Sequence, residues 1–322
     1  MTGPITVAIL AGGLTHEREV SLHSGRRMAN LLREAGMQVK LLDVDASLLL
    51  HLKAISPNVI WPLIHGSTGE DGSLQDLLQL TGIPYVGSAP AACRLASDKA
   101  IASALVNRIG ITVPRSMSIP SALFREIGVN PVLELISSNY TFPLVVKPAS
   151  GGSALGVTIV RTAAELPRAM VDCYAYGDRA RIEAYVEGRE LAVSVINIDG
   201  EPCALPPVEI VTDGPYDYDA RYNAGRTEYF VPARFSEEKL AAVRDAAVRI
   251  HKELGLSYIS RSDFIINEAG DPVLIDVNVA PGTTETSLLP QAVVAEAASR
   301  GVSPEQLYVG LLNEVAASKA SE

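Results

Sequence analysis

Oxygen-bearing side chains cluster towards the C-terminus of the sequence, on two segments of β type. The first segment carries Asp263, and the second carries Asp276 and Asn278. Because side chains alternate along a strand, Asp276 and Asn278 share one face. Two carboxylates and an amide oxygen are the hard ligands that Mg²⁺ takes beside a nucleotide triphosphate. The sequence predicts a Mg²⁺ site here, the alternative being side chains that only cap backbone groups near a turn.

A glycine-rich loop follows Lys147 and leads into a second apolar run. Residues 147–157 read KPASGGSALGV. Flexible backbone N–H donors and one lysine are the components that wrap a phosphate chain. No Gly-Lys-Ser/Thr closes the loop, so it is not a Walker A motif, and alone it would be an ordinary turn. Lys99, at the start of a predicted helix, and the oxygen cluster downstream favour phosphate binding.

Residues 182–190, IEAYVEGRE, are predicted to form a strand that ends in an acidic turn. Main-chain groups here can pair with adenine, and a carboxylate can accept hydrogen bonds from ribose hydroxyls. A solvated acidic hairpin is the alternative.

The elements that must position these residues begin with a β-α-β alternation. Apolar runs predict strands at 5–10, 39–42 and 59–64, with a helix at 21–35. This pattern predicts a doubly wound domain with a parallel sheet over residues 1–95. Ligands of such sheets bind beyond the carboxyl ends of the strands, so the loops 12–21 and 65–72 are candidate site loops.

The pattern changes after residue 95. A helix at 98–109, an extended stretch and a strand at 142–147 predict a central α+β subdomain over residues 96–182. A strand at 191–196, a polar aromatic loop at 213–229 and an amphipathic helix at 236–254 precede the oxygen-bearing strands. Together with a helical segment at 290–317 they predict a C-terminal subdomain over residues 183–322, and therefore an α/β protein of three subdomains.

Composition excludes several classes of protein. The net charge of −10 argues against a nucleic-acid partner, which demands a basic face. No apolar stretch approaches the roughly 18 residues that span a bilayer, so no membrane association is expected. The three cysteines are widely spaced and indicate neither a disulfide framework nor a zinc site, which fits a reducing cytoplasm.

Taken in order, the motifs resemble those of the ATP-grasp superfamily, and specifically of the D-alanine–D-alanine ligases. The resemblance covers nearly the whole chain: HEREVS at 16–21, HGSTGEDG at 65–72, the loop after Lys147, EGRE at 187–190, YDYDARY at 216–222, RSDF at 261–264, and residues 278–290. It implies the ATP-grasp fold and a cytoplasmic homodimer. It also implies ligation of two D-alanines to D-alanyl-D-alanine for peptidoglycan synthesis, through an acyl phosphate, with ATP and two Mg²⁺ ions, or Mn²⁺ as a substitute.

The resemblance also implies roles for individual residues. Arg261 and the main-chain N–H of Gly282 would stabilise the tetrahedral oxyanion, while Glu17, Ser153 and Tyr222 would link the N-terminal domain to two closing loops. The implied metal ligands are Asp263, Asp276 and Asn278. The implied nucleotide-binding residues are Lys99, Lys147, Glu183, Tyr185, Val186, Glu190 and Arg221. The implied substrate-binding residues are Glu17, His65, Glu70, Ser287 and Leu288.

Some positions depart from the family pattern. Asp276 stands where glutamate is common, Ala154 replaces a usual serine, and Arg221 replaces a usual lysine, exchanging a point charge for a planar fork. A relative that uses D-serine, D-lactate or a biosynthetic amino acid as second substrate is therefore an alternative, although Tyr222 speaks against D-lactate. A non-catalytic nucleotide-binding regulator is a further alternative, which the intact metal and oxyanion residues disfavour.

Overall fold

The computed structural model describes residues 5–214, 216, 220–221 and 225–318. Three sheets organise this part of the chain, one parallel and two antiparallel. The predicted α/β class, with a parallel N-terminal sheet, is confirmed. In the same described residues, no helix combines the length and the apolarity needed to cross a membrane.

The N-terminal sheet is parallel, in the order β2-β1-β3. Alternate residues of β1 pack in different directions: Val7 and Ile9 join the core that contains Met28, whereas Ala8 and Leu10 join the core that contains Leu52. Helices therefore cover both faces, as the continuous apolar run of β1 predicts. The elements are β1 (Thr6–Ala11), a helix at Arg18–Glu34, β2 (Gln38–Asp43), a helix at Leu48–Ile55, β3 (Val59–Pro62), and helices at Ser67–Glu70, Ser73–Leu80 and Pro90–Ser97.

The central sheet is antiparallel, in the order β4-β7-β5-β6. Two helices occupy the stretch that was predicted to be extended, and Val132 and Ile136 bury one face of the second at a spacing of four residues. The elements are a helix at Lys99–Arg108, β4 (Ser116–Pro120), helices at Ser121–Ile127 and Val129–Asn139, β5 (Leu144–Pro148), β6 (Thr158–Val160), a short 3₁₀ helix at Ala163–Glu165, a helix at Leu166–Tyr174, and β7 (Arg179–Ala184).

The C-terminal sheet runs β11-β10-β8-β12-β13, with β9 also paired to β8. One face packs on the helix Glu237–Glu253, and the other shares a core with the N-terminal domain, where the Trp61 and Tyr308 rings lie 5.7 Å apart. The elements are β8 (Gly188–Ile198), β9 (Glu201–Ala204), β10 (Val208–Thr212), β11 (Thr227–Phe230), a helix at Glu237–Glu253, β12 (Ile259–Asn267), β13 (Pro272–Asn278), and helices at Leu288–Arg300 and Pro304–Ala317.

The C-terminal helical segment and the packing of the helix Lys99–Arg108 also differ from the prediction. The segment 290–317 is two helices, because Gly301 ends the first in a left-handed conformation and Ser303 caps the second. The helix Lys99–Arg108 packs through Ala102 and Val106 on the C-terminal core, although it precedes the central sheet in the chain. The division at residues 95 and 182 stays a prediction; the central sheet ends at Ala184 and the C-terminal sheet begins at Gly188.

Candidate active site

A large cavity of about 740 Å³ lies where the three sheets meet. The predicted site residues in the described part of the chain all line it, although they come from segments up to 271 residues apart, as Glu17 and Leu288 do. Tyr222 lies outside the described residues. The residues brought together are Glu17, His65, Glu70, Lys99, Lys147, Ser153, Glu183, Tyr185, Val186, Glu190, Arg221, Arg261, Asp263, Asp276, Asn278, Gly282, Ser287 and Leu288.

The register of β12 and β13 assembles the oxygen cluster. Asp263 lies directly opposite Asp276, and Arg261 directly opposite Asn278, so the period of two places all four side chains on one face. The register shifts immediately after this set, between Asp263 and Phe264. The bulge separates the polar rows of the site from the apolar pairing that continues into the core.

Both carboxylates of the cluster are engaged in ion pairs. Asp263 accepts two hydrogen bonds from the Arg261 guanidinium, at 2.7 and 2.8 Å. Asp276 Oδ1 lies 2.6 Å from Lys99 Nζ. Burial acts to raise the pKa of Asp276, but the charges of Lys99 and Lys147 hold it below its usual value. Asp276 is therefore an anion at neutral pH.

The donor set fits Mg²⁺ in its chemistry. Two carboxylates and one amide on facing strands supply hard oxygen ligands, and Mg²⁺ completes its shell with phosphate oxygens and water. Within the described residues, no three His, Cys, Asp or Glu side chains form a cluster that holds a metal by themselves. The amide oxygen of Asn278 lies on the same face as the two carboxylates and accepts from the Ala280 N–H at 2.8 Å.

Lys147 stands beside the segment predicted to bind adenine. Its Nζ lies 2.8 Å from Glu183 Oε2 and donates to the Ile275 carbonyl at 2.9 Å. Tyr185 and Val186 follow in the connection between β7 and β8. Glu190, on β8, is half-buried, and the loss of water around its carboxyl raises its pKa to about 7, although the charge of Arg221 opposes the shift.

Two further carboxylates meet at the N-terminal side of the cavity. Ser153 Oγ donates to Glu17 Oε1, which joins the glycine-rich loop to the residue that precedes the first helix. Burial raises the pKa of Glu17, and burial together with the charge of Glu17 raises the pKa of Glu70 to about 8. At neutral pH Glu70 is mostly protonated, and it accepts from the Gly66 N–H at 3.1 Å.

Both ring nitrogens of His65 have partners within the protein. Nδ1 lies 3.1 Å from the Ala280 carbonyl oxygen, and Nε2 lies 3.1 Å from Ser24 Oγ. A carbonyl only accepts, so Nδ1 carries the proton. Burial lowers the pKa of His65 to about 4, so the ring is neutral and Nε2 accepts from the serine hydroxyl. The resemblance implies that His65 contacts the substrate, whereas in the structure both of its ring nitrogens are hydrogen-bonded to the protein.

Comparison with known proteins identifies the family. The family described as "D-ala D-ala ligase C-terminus" matches residues 105–313, and "D-ala D-ala ligase N-terminus" matches residues 51–88. The D-alanine–D-alanine ligase of Anaeromyxobacter sp. (strain K) is 40% identical over 311 residues, which cover 96% of each chain. The chain belongs to the D-alanine–D-alanine ligase family. The predicted membership and the ATP-grasp fold are thereby confirmed.

Solved structures of D-alanine ligases have the same fold. The D-alanine–D-alanine ligase of Bacillus anthracis superposes with a TM-score of 0.77 at 27% identity, covering 98% of this chain and 97% of its own. The VanG D-Ala:D-Ser ligase of Enterococcus faecalis superposes with a TM-score of 0.78 at 26% identity, covering 97% and 100%. The fold of the ligase family thus accommodates different second substrates.

Ser287 and Leu288, for which the resemblance implies contact with the second substrate, lie at a helix N-terminus. Ser287 precedes the helix Leu288–Arg300, and its Oγ accepts from the Thr284 N–H at 3.0 Å. The approach is close, since a Cβ added at Gly282 would lie 2.8 Å from Ser287 Oγ. The positive end of the helix dipole favours a carboxylate at this place.

Several residues of the site escaped sequence reasoning. Arg181 is buried on β7 and donates to Glu183 and, at 2.9 Å, to Ser103 Oγ. Its spacing of two from Glu183 on a predicted strand was the available signal. Tyr216, for which no role was predicted, lines the cavity, and the guanidinium carbon of the predicted residue Arg221 lies 4.3 Å from the centre of its ring. Ser24 carried no local signal, since its partners are distant in the chain.

Proposed function

We propose that this chain joins two D-alanine molecules into D-alanyl-D-alanine at the expense of ATP, supplying a precursor of peptidoglycan. The observation that carries the proposal is the shared face of Arg261, Asp263, Asp276 and Asn278 at the wall of the cavity. Similarity to ligases so named, at about 40% identity over nearly the full chain, supports the substrates.

The first step phosphorylates the first D-alanine. A carboxylate oxygen of D-alanine attacks the γ-phosphorus of ATP, the bond from that phosphorus to the bridging oxygen breaks, and ADP leaves with the electron pair. An acyl phosphate results, which is a better electrophile than the free acid. Glu17 would hold the substrate ammonium, and Lys99, Lys147 and Arg221 would neutralise phosphate oxygens.

The second step forms the peptide bond. The free amine of the second D-alanine attacks the acyl carbon, a tetrahedral oxyanion forms, and phosphate leaves as the amine loses a proton. Arg261 and the Gly282 N–H would donate to the oxyanion, as preorganised donors stabilise charge that grows in the transition state. Ser287 and the N-terminus of the helix Leu288–Arg300 would hold the second carboxylate.

The residues of the oxygen cluster would hold two Mg²⁺ ions, or Mn²⁺ in their place. When bound, the ions would neutralise phosphate oxygens and align the transferred group. Asp263 and Asp276 would share their carboxylate oxygens between these ions and the side chains of Arg261 and Lys99. The side chain of Asp276 is one methylene shorter than the glutamate common in the family, and its residue lies directly opposite Asp263 across the strands.

The nucleotide would lie between the central and C-terminal sheets. The connection that carries Tyr185 and Val186 offers main-chain groups to adenine, and Glu190 offers a carboxylate to the ribose hydroxyls. Glu183 would hold Lys147 in place through the 2.8 Å ion pair.

A cytoplasmic homodimer formed through the N-terminal domain belongs to the same proposal. Two of the helices on one face of its sheet expose leucines to solvent, and the most exposed are Leu50 at 71% and Leu80 at 85%. Light scattering is expected to give twice the 34.2 kDa of one chain. A mass of one chain at micromolar concentration would contradict the dimer.

The test of function is ADP release with product masses. D-Alanine with ATP and Mg²⁺ is expected to give ADP, phosphate and a dipeptide of two D-alanines in equal amounts. L-Alanine is the matched control and is expected to give none. ADP release without any dipeptide, or no turnover with D-alanine, would overturn the proposal.

D-Serine is the competing second substrate, because the structural similarity to a D-Ala:D-Ser ligase is as high as that to a D-alanine–D-alanine ligase. Equimolar D-alanine and D-serine offered together are expected to yield mainly D-alanyl-D-alanine. An excess of D-alanyl-D-serine would show that D-serine is the preferred second substrate. A parallel reaction with D-alanine and D-lactate tests for formation of the ester in the same way.

A further inference from the structure

The turn that carries Gly282 is fastened to the N-terminal domain on both of its sides. This turn, residues 280–284, follows the last strand of the C-terminal sheet. On one side, His65 Nδ1 donates to the Ala280 carbonyl at 3.1 Å. On the other side, the Thr283 N–H donates to Ser24 Oγ at 3.2 Å.

Ser24 connects the two sides. Its hydroxyl accepts from the Thr283 N–H and donates to His65 Nε2, so one continuous relay runs from Thr283 through Ser24 and His65 to Ala280. Ser24 and Thr283 are fully buried and His65 is 4% exposed. No bulk water competes for these bonds at such sites, and the loss of one member leaves a buried donor or acceptor unpaired.

Two more bonds fasten the same residues. Thr283 Oγ1 donates to the Ser24 carbonyl at 3.3 Å, and Arg27, one turn along the same helix, donates to the Thr283 carbonyl at 3.0 Å. The backbone of Thr283 is therefore held at its N–H and at its carbonyl. With Ala280 held as well, the orientation of the intervening Gly282 peptide is set by residues more than 215 positions earlier in the chain.

We propose that Ser24 is a positioning residue of the ligase: through the relay Thr283–Ser24–His65–Ala280 it fixes the direction of the Gly282 N–H, and thereby couples the N-terminal domain to the oxyanion site. The catalytic meaning of this inference rests on the proposed function, whereas the relay itself can be tested without turnover. His65 then acts through the turn and need not contact substrate.

Ser24→Ala is the direct test. Amide hydrogen exchange at Thr283 is expected to accelerate about tenfold or more, because the Thr283 N–H loses the Ser24 hydroxyl as its acceptor. Turnover to dipeptide is expected to fall on the order of tenfold, with the KM for ATP within about twofold, because a small misplacement near the reacting atoms affects the transition state most. A purely structural role would instead move the unfolding temperature without this split between kcat and KM.

Ser260→Ala is the matched control. Ser260 Oγ also pairs with a buried histidine, His251 Nδ1 at 2.7 Å, but it points to the opposite face of β12 from Arg261. This variant is expected to lose a comparable buried bond while Thr283 exchange and turnover stay within about twofold of wild type.

The wild-type protein provides a test that needs no variant. Nitrogen-15 NMR of His65 is expected to show a neutral ring with the proton on Nδ1. A proton on Nε2, or unchanged Thr283 exchange and turnover in Ser24→Ala, would overturn the proposal. If D-alanine proves not to be the substrate while both spectroscopic results hold, the proposed function fails and the relay stands.

Discussion

At the scale of single residues, Arg261 contributes a shape as well as a charge, because a lysine in its place would keep the positive charge but not the planar guanidinium. Arg261 lies on β12 two residues before Asp263, and its planar fork makes two parallel bonds to that carboxylate while both side chains are buried. The period of the strand predicts that these residues share a face. It does not predict that Asp263 faces Asp276, since the pairing register depends on a bulge between residues that no local pattern marks.

Arg261→Lys tests the fork. The variant keeps a cation but loses one of the two parallel bonds and the geometry of the oxyanion donor, so kcat is expected to fall about 10²–10³-fold. The measurement is steady-state dipeptide formation, with the thermal midpoint as a check on folding. The control is Arg94→Lys, which alters an arginine–aspartate pair on the surface in which both terminal guanidinium nitrogens donate to Asp76. Equal effects of the two changes would remove Arg261 from the chemistry.

Glu70 predicts a pH dependence of stability. Its folded pKa of about 8 lies above the ordinary 4.5, so the folded state binds the proton more tightly. The stability that this provides is fully present below about pH 4.5 and is lost as the pH rises through about 8. Glu70→Gln cannot ionise and still accepts from the Gly66 N–H. Its thermal midpoint is expected to fall less than that of wild type between about pH 6 and 8.5, and parallel curves would refute the assignment.

At the scale of elements, the short helix Ser67–Glu70 packs closely against the residues that follow β3, and this packing places Glu70 in the cavity. The helix Ser67–Glu70 carries Glu70 into the cavity, and Gly69 lies so close that a Cβ there would be 2.1 Å from the Ile64 carbonyl oxygen. The loop is predictable as a site loop because it follows a parallel strand. The close approach is not predictable, because a glycine in a loop is usually there for its conformation.

Gly69→Ala tests this approach. The added methyl group must push the helix away from Ile64, so the free energy of unfolding is expected to fall by about 1–3 kcal/mol and the KM for D-alanine to rise. Gly310→Ala is the control, since a Cβ at this helical position meets nothing within 4 Å and is expected to stabilise by about 0.5–1 kcal/mol. Urea titration measures both, and a neutral Gly69→Ala would show that the helix relaxes freely.

At the scale of the whole molecule, the three sheets meet around the cavity through side chains that lie far apart in the sequence. The alternation of strands and helices predicts the parallel N-terminal sheet, and the order of the motifs predicts which loops line the cavity. The packing of the helix Lys99–Arg108 on the C-terminal core could not be predicted, because its apolar face fits either neighbouring domain. The same holds for the bonds of Ser24, which join residues 41 and 259 positions apart.

Ser153→Ala tests the contact between subdomains. It removes the hydroxyl that donates to Glu17, which joins the glycine-rich loop of the central subdomain to the N-terminal domain. A looser loop admits water to the acyl phosphate, so the ratio of ADP to dipeptide is expected to rise above one. Ser138→Ala, which removes an exposed hydroxyl from a surface helix, is expected to leave the ratio at one. An unchanged ratio of ADP to dipeptide in Ser153→Ala would show that the contact between Ser153 and Glu17 does not keep water from the acyl phosphate.

The ion pairs of the cavity have a consequence for how a triphosphate enters. The proposed phosphate-binding cations are Lys99, Lys147 and Arg221. Lys99 already forms an ion pair with Asp276, and Lys147 with Glu183. Arg261 is paired with Asp263 in the same way. A triphosphate that enters the cavity would therefore meet cations that already have carboxylate partners, and not a group of unpaired positive charges. In the proposed reaction its entry would be an ion exchange: Lys99 would leave Asp276 for a phosphate oxygen, Lys147 would keep its ion pair with Glu183, and the released Asp276 would face the divalent ions that accompany the nucleotide.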